Sequence, residues 1–149
     1  MTTTFARQHG EFTISDDPAR LDFAMIHHYL AHESYWAVGR ARETVEKSFA
    51  HSHPFGIYRA EKQIGWARVV TDYTTFAWLA DVYVLSDYRG KGLSKQLMAF
   101  IIEHPELQAM RRWLLATKDA HGLYRQYGFR EFVYPERWLE RPAPDAYPA

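Results

Sequence analysis

The stretch DVYVLSDYRGKGLSKQL, residues 81–97, decides the reading of this chain. A β-like run leads directly into Arg89-Gly90-Lys91-Gly92, and a helical pattern begins at that turn. Two glycines let the backbone reverse sharply and present consecutive N–H groups outward. The helix start adds unpaired N–H groups and a partial positive charge. Between Asp87 and Lys95, three cationic side chains (Arg89, Lys91, Lys95) face one anionic one, in a chain whose formal net charge is zero. Such a turn suits an anion, phosphate best of all. It is not a nucleotide P-loop, because GxxxxGK[ST] is absent, and it fails GxGxxG because Lys95 stands at the third glycine position. On the glycines alone, a solvated tight turn before a helix accounts for it equally well.

Outward from this turn, the elements alternate in type. Upstream, Asp17-Pro18 marks a helix start, an N-cap side chain followed by a residue whose missing N–H is harmless there. That helix runs to about Glu33. A second begins near Arg40 and is broken at His53-Pro54. Three β-like runs follow, FGIYRA (55–60), EKQIGWARVVTD (61–72) and TTFAWLADVYVL (74–85), joined by short linkers that favour an antiparallel meander. Gly65 signals a bulge or a close backbone approach. Downstream, the helix after the turn places Leu93, Leu97, Phe100 and Ile101 on one face. RRWLLAT (111–117) reads as a buried strand, DAHGLYRQYGF (119–129) as a short helix closed by Gly128, and REFVYP (130–135) as a last strand. The predicted order is α-α-β-β-β-α-β-α-β, a mixed sheet with helices packed on it.

The chain has 149 residues, 47% hydrophobic and 16% aromatic, enough for one domain with a substantial core. Residues 1–10 and 141–149 read as extended tails. The balance of 18 basic and 18 acidic residues disfavours broad capture of nucleic acid or of an anionic membrane. Arg111-Arg112-Trp113 is too small a cluster to change that. There is no cysteine, which removes disulfide scaffolds, thiolate metal sites and cysteine nucleophiles together. No signal peptide and no membrane-length apolar run is visible, so a soluble, cytoplasmic protein is expected.

Two motifs then narrow the function. Tyr88-Arg89-Gly90-Lys91-Gly92-Leu93-Ser94, after a V-x-V strand, resembles motif A of the GNAT superfamily of acyl-CoA N-acetyltransferases, with Ser94 in place of the final Gly or Ala. Ala120-His121-Gly122-Leu123-Tyr124-Arg125-Gln126-Tyr127-Gly128-Phe129 resembles motif B of the same superfamily. The resemblance spans about residues 11–135. It implies an α/β (α+β) GNAT fold: a mixed, mostly antiparallel sheet, splayed between the family's strands four and five and flanked by helices. It implies acetyl-CoA as co-substrate, with no metal. The pantetheine arm would pair along Val82, Tyr83, Val84 and Leu85, and the pyrophosphate would lie on the amides of Arg89, Gly90, Lys91, Gly92, Leu93, Ser94 and Lys95. Thr117 stands where many relatives carry an Asn that contacts the pantetheine. The Val84 amide is the implied oxyanion donor, and Tyr124 the implied proton donor to the departing thiolate. Glu33, Tyr35 and Trp36 would wall the pocket for the acceptor amine, and many members pair as homodimers.

The general base is open at this stage. Trp78, Ala80 and Val82 share one strand face and offer none. Asp81 has the opposite parity, and is either a base acting through water or a buried partner that orders the strand. Tyr35 and Trp36 read equally as core aromatics. His28 and His32 lie one helical turn apart with His51 and His53 nearby, but a metal needs a third ligand and outer support, and none is expected here. A non-catalytic acyl-CoA-binding module is the alternative function. It would keep the 89–95 turn without needing Tyr124.

Overall fold

The structure is a computed structural model and describes residues 3–146. Its strands are β1 (Ala6–His9), β2 (Phe12–Ser15), β3 (His53–Arg59), β4 (Lys62–Thr71), β5 (Phe76–Val84) and β6 (Arg112–Leu114). Its helices are α1 (Phe23–Glu33), α2 (Arg42–Ala50), α3 (Leu93–Ile102) and α4 (His121–Arg125). The six strands form one sheet in chain order, with β1 to β5 antiparallel and β5–β6 parallel.

Buried apolar side chains on both faces hold the layers together. Trp66 and Tyr83 stack at 5.0 Å on one face, and Tyr29 of α1 lies against both rings. On the other, Phe55 meets Phe100 of α3 edge to face at 5.9 Å. Leu93, Leu97, Phe100 and Ile101 of α3 are buried, as their spacing predicts, and Met98 is buried with them. The expected role of Gly65 is met twice. Ile64 is the extra residue of a bulge opposite Ile57 and Tyr58, and a Cβ on Gly65 would lie 3.0 Å from the Tyr83 carbonyl oxygen.

Four expectations are corrected. Residues 6–9, read as tail, form a hairpin strand paired with β2. Asp17 caps only a 3-10 turn over Pro18–Arg20. The helix itself starts after an extended Leu21, where the Asp22 carboxylate accepts from the Met25 N–H at 3.1 Å. The strand read over 111–117 is ordered as a ladder only at Arg112–Leu114. The strand read over 130–135 does not form. That segment ends in a 3-10 turn at Pro135–Arg137, and its consecutive apolar residues Phe132, Val133 and Tyr134 are exposed. A strand needs a ladder partner, and this segment pairs with none of the described strands. Residues 147–149 of the expected C-terminal tail, and 1–2 of the N-terminal one, lie outside the described residues.

Candidate active site

The parallel ladder joins Phe76, Ala77 and Trp78 to Arg112, Trp113 and Leu114 and then stops. From Leu79 to Val84 the edge of β5 facing β6 carries no strand partner among the described residues, so the sheet splays. The Leu85 N–H donates to the Ile64 carbonyl at 2.9 Å, which by antiparallel alternation turns the peptide groups of Val84 toward the open gap. Of the four residues read as a pairing edge, Leu85 thus spends its amide on β4. The Val84 carbonyl, facing the gap, accepts from Arg89 Nε at 2.8 Å, and the Arg89 guanidinium lies 5.2 Å over the Tyr83 ring.

A bulge in β5 re-aims the strand above this edge. Trp66 pairs with Tyr83 and Arg68 with Ala80, so Asp81 and Val82 together oppose Ala67. Asp81 has φ +56, a left-handed conformation that a residue other than glycine adopts only when its surroundings hold it. The bulge reverses the parity inferred from simple alternation. Asp81 joins Trp78, Ala80 and Tyr83 on the face of Arg68, and Val82 leaves it.

Three donors converge on the Asp81 carboxylate. Trp36 Nε1 donates to Oδ1 at 2.8 Å, while Arg68 Nε and Arg40 Nη1 donate to Oδ2 at 2.7 and 3.0 Å. Burial raises the Asp81 pKa, but the Arg68 and Arg40 charges and hydrogen bonds outweigh it and hold the carboxyl below its ordinary value. Two guanidinium groups against one carboxylate leave the cluster with an excess positive charge.

The turn after β5 has its glycines where the backbone demands them. Gly90 and Gly92 have φ +78 and +77, and a Cβ on either would meet open space. Gly92 is the N-cap of α3 and supplies no side-chain hydrogen bond. The Gln96 N–H is the first to close on the helix, bonding to Gly92 O at 3.1 Å. The amides of Leu93, Ser94 and Lys95 therefore have no earlier carbonyl of the helix to bond to. The Leu93 side chain is core, so only its backbone is offered outward.

Across the gap, the loop between α1 and α2 reaches the chain beyond β6. The Tyr35 hydroxyl accepts from the Lys118 N–H at 2.8 Å. Tyr35 and Trp36 are exposed, not core, and Glu33 is exposed at the end of α1. Thr117 Oγ1 accepts from the Ala120 N–H at 3.3 Å, shaping the entry to α4. Tyr124 is buried against Phe129. Burial, then the nearby Tyr35 and Asp119, pushes its phenol up to about 12, so it is protonated at neutral pH. Tyr127 donates to the Lys95 carbonyl at 2.8 Å, fastening α4 to α3. A cavity of about 200 Å³ lies beside Tyr124 between β6 and residues 129–132, and a groove of about 730 Å³ continues along the outer side of β6. Both lie beyond β6 and not in the β5–β6 gap.

The histidines arrange otherwise than their spacing suggests. His53 leaves His28 and His32 and joins Asp16 and His104 on the sheet face packed by α3. Asp16 Oδ2 lies 2.9 Å from His53 Nε2 and 2.7 Å from His104 Nε2, and its Oδ1 accepts from the Phe5 N–H at 2.6 Å. The ligand atoms of these three residues and Glu106 lie within 4.8 Å of one another. The Glu106 N–H donates to His104 Nδ1 at 3.1 Å, which places the ring proton on Nε2. A metal on that Nε2 would force a proton onto Nδ1, facing another N–H. This donor arrangement suits a hydrogen-bonded hub. Sequence reasoning missed it because the three residues are 37 and 51 positions apart.

The profile of the Acetyltransferase (GNAT) family matches residues 23–129. The chain belongs to the GNAT family of acetyltransferases. A crystal structure of a GNAT-family protein of Xanthomonas campestris pv. campestris is 41% identical, with TM-score 0.90 over 95% of this chain and all of that one. FG08082 of Gibberella zeae, named for an inferred acetyltransferase activity, is 27% identical over 146 residues, 83% of this chain and 81% of that protein. A predicted acetyltransferase of Clostridium acetobutylicum, crystallised with acetyl-CoA, shares the fold at TM-score 0.59 and 12% identity over 94% of this chain and 96% of that one. Acetyl-CoA is the co-substrate of the GNAT family, and no described helix is long and apolar enough to cross a membrane.

Proposed function

We propose that this GNAT acetyltransferase moves an acetyl group from acetyl-CoA to a primary amine of a small molecule or peptide, by direct attack with both substrates bound. The observation that carries this reading is the coincidence of the unpaired β5 edge, with Val84 facing it, and the uncapped, glycine-led start of α3. The first fits an extended amide-bearing arm, and the second a pyrophosphate. Nothing blocks approach to Gly90 or Gly92.

In this reading the Val84 N–H stabilises the negative charge that builds on the thioester oxygen. Tyr124 gives its proton to the sulfur as the carbon–sulfur bond breaks, which a phenol held protonated can do. Asp81 does not serve as the base, because a carboxylate stabilised by two guanidinium groups accepts protons poorly. Their excess positive charge disfavours an ammonium in the cleft and so favours the neutral, attacking amine. The amine's proton leaves to water. Glu33, Tyr35 and Trp36 form the acceptor wall, with Glu33 favouring acceptors that carry a further cationic group. No metal and no nucleic acid or membrane partner belongs to this reading. The location is cytoplasmic, and the working form is a homodimer.

A panel of amines, read by release of free CoA, tests the activity. Tyr124→Phe keeps the ring and its packing and is expected to lower kcat by about a hundredfold, the lower end of general acid catalysis, with acetyl-CoA affinity retained. Acetyl-CoA binding without turnover of any amine would favour a non-catalytic acyl-CoA-binding module instead.

A further inference from the structure

The geometry points to Tyr35 as the residue that positions Tyr124, by tying the short helix that carries it across the cleft to the loop between α1 and α2. The helix needs such a tie. α4 spans five residues, too few to be stable by itself, and its N-cap Ala120 offers no side-chain hydrogen bond. The Tyr124 N–H reaches the Ala120 carbonyl at 3.3 Å, so this phenol is only as well placed as that N-cap. At its far end the helix is fastened to α3 by the Tyr127 hydroxyl, which donates to the Lys95 carbonyl. At its near end the holding group comes from 83 positions upstream, the Tyr35 hydroxyl on the Lys118 N–H.

Tyr35 is itself firmly held. Ser34 before it is buried, donates to the Leu30 carbonyl at 2.7 Å and accepts from the Ala37 N–H at 3.1 Å. Trp36 after it donates to Asp81 in the β5 bulge. The Tyr35 ring stands edge-on to Trp36 at 5.0 Å, and the Lys118 ammonium lies 5.5 Å over it. Its two neighbours in sequence are thus anchored, one to α1 and one to β5, and the hydroxyl between them is a fixed post. At 51% exposure the ring adds little to the core, which leaves the hydroxyl contact as its main part in the fold.

The post spans the gap. Asp81 lies on the β5 side of it, and Lys118 follows β6 on the other. Thr117 Oγ1 then takes the Ala120 N–H and carries the tie to the N-cap of α4. Every link on this path from β5 to Tyr124 is a hydrogen bond, a ring contact or a stretch of chain. Burial, and then the nearby Tyr35, push the Tyr124 phenol up, which sets the two rings close together at the end of the path. Beyond Trp78 and Leu114 no ladder joins β5 to β6 among the described residues. The path does there what a ladder would do, fixing the distance between the Val84 edge and the Tyr124 hydroxyl. A displacement of about 1 Å at a reacting group is enough to slow a reaction a hundredfold. A wall contact with the amine and a tie on Tyr124 also differ in their kinetics. The first shows in KM, the second in kcat.

The tie stands on this geometry alone. Its effect on turnover rests on the role of Tyr124 proposed above. Tyr35→Phe keeps the exposed ring and removes only the hydroxyl. In native-state hydrogen exchange, the Lys118 and Tyr124 amides are expected to exchange about tenfold faster in this variant, the equivalent of one hydrogen bond, with those of β3 unchanged. In steady-state kinetics, kcat is expected to fall at least tenfold, with KM for acetyl-CoA and for the amine within twofold of wild type. The double variant decides whether Tyr35 acts through Tyr124. If it does, Tyr35→Phe lowers kcat by twofold or less once Tyr124 is already Phe. Losses that multiply in the double variant overturn the inference. So does a higher KM for the amine at unchanged kcat, which would make Tyr35 an acceptor contact only. A Tyr124 amide that Tyr35→Phe leaves unmoved overturns it too, with or without turnover. A wild type that turns over no amine, or a Tyr124→Phe chain of full activity, removes the proposed chemistry, and exchange of the Tyr124 amide then decides the tie by itself.

Discussion

Two buried aspartates organise opposite faces of this sheet at neighbouring registers, and they differ in the partners they gather. Asp16 ends β2 and gathers two histidines and the Phe5 backbone N–H, tying the N-terminal hairpin to the start of β3 and the end of α3. Its partners are two imidazoles and a backbone amide. Asp81 lies in a bulge with a left-handed backbone, and its partners are two permanently charged guanidinium groups and an indole from the loop between α1 and α2. That cluster carries surplus charge and borders the unpaired edge of β5. A satisfied polar hub rigidifies, whereas a charged hub at a strained backbone position both fixes a geometry and projects a field.

The largest effect is expected from Asp81→Asn. Asparagine tolerates the left-handed backbone, so the bulge can persist, but Arg40 and Arg68 lose their counter-charge. Breaking a buried pair in this way costs about 3–5 kcal/mol of stability. Displacement of the Val84 edge is expected to lower kcat/KM by about a hundredfold, measured alongside thermal melting. An unchanged kcat/KM in a destabilised protein would make Asp81 a structural group like Asp16. Next comes Asp16→Asn, expected to lower stability by about 2 kcal/mol, the range for a hydrogen bond to a charged group, with kcat/KM intact. Loss of turnover at constant temperature below melting would erase the contrast.

Acid titration sharpens the same comparison. At Asp16 burial raises the pKa, but the hydrogen bonds from Phe5, His104 and His53 outweigh it, so the folded value lies below the ordinary 3.8. The unfolded chain then takes up the proton first. The contribution of Asp16 is complete above about pH 4 and is lost as pH falls through the folded value. Asp81 shifts in the same direction, so denaturation at low pH is expected to be steep in the wild type and shallower in Asp16→Asn, followed by equilibrium unfolding at stepped pH.

At the cleft, backbone and side chain can be told apart by calorimetry with acetyl-CoA. Gly92→Val forces a β-branched residue to φ +77 and puts a Cβ in the phosphate approach, so affinity is expected to fall at least tenfold. Lys91→Ala leaves the amides in place and costs only a few-fold. The smallest change is expected of Arg89→Ala. Its side chain is spent on the Val84 carbonyl, so its loss is expected to alter affinity by threefold or less.

The meander, the α3 stripe and the turn at Arg89–Gly92 were legible because each is written in adjacent residues. Period-two alternation predicts strands, and two glycines before an apolar helix predict a phosphate-sized turn. The Asp81 cluster was not legible, because a bulge resets parity and no local pattern announces one. Trp36, Arg40 and Arg68 meet Asp81 only through tertiary packing. The segment 130–135 was read as a strand and forms none, because β-prone residues do not by themselves supply a ladder partner. The Asp22 cap was missed because Asp17-Pro18 is the stronger local signal, yet an extended Leu21 separates the turn from the helix.

The strands lie in the sheet in chain order, and the β1–β2, β3–β4 and β4–β5 pairings each close a short turn, whereas β2–β3 spans α1 and α2. The β5–β6 pairing is the parallel one, reached through α3, and it contributes three residue pairs. Low contact order of this kind favours rapid folding of the meander, with the parallel contact added late and yielding first. The place where the sheet is easiest to open is thus the mouth of the cleft. In native-state hydrogen exchange, the amides of β6 should exchange through local opening, while those of β3 and β4 await global unfolding. A ligand can then enter between β5 and β6 without disturbing the part of the sheet that keeps the chain folded.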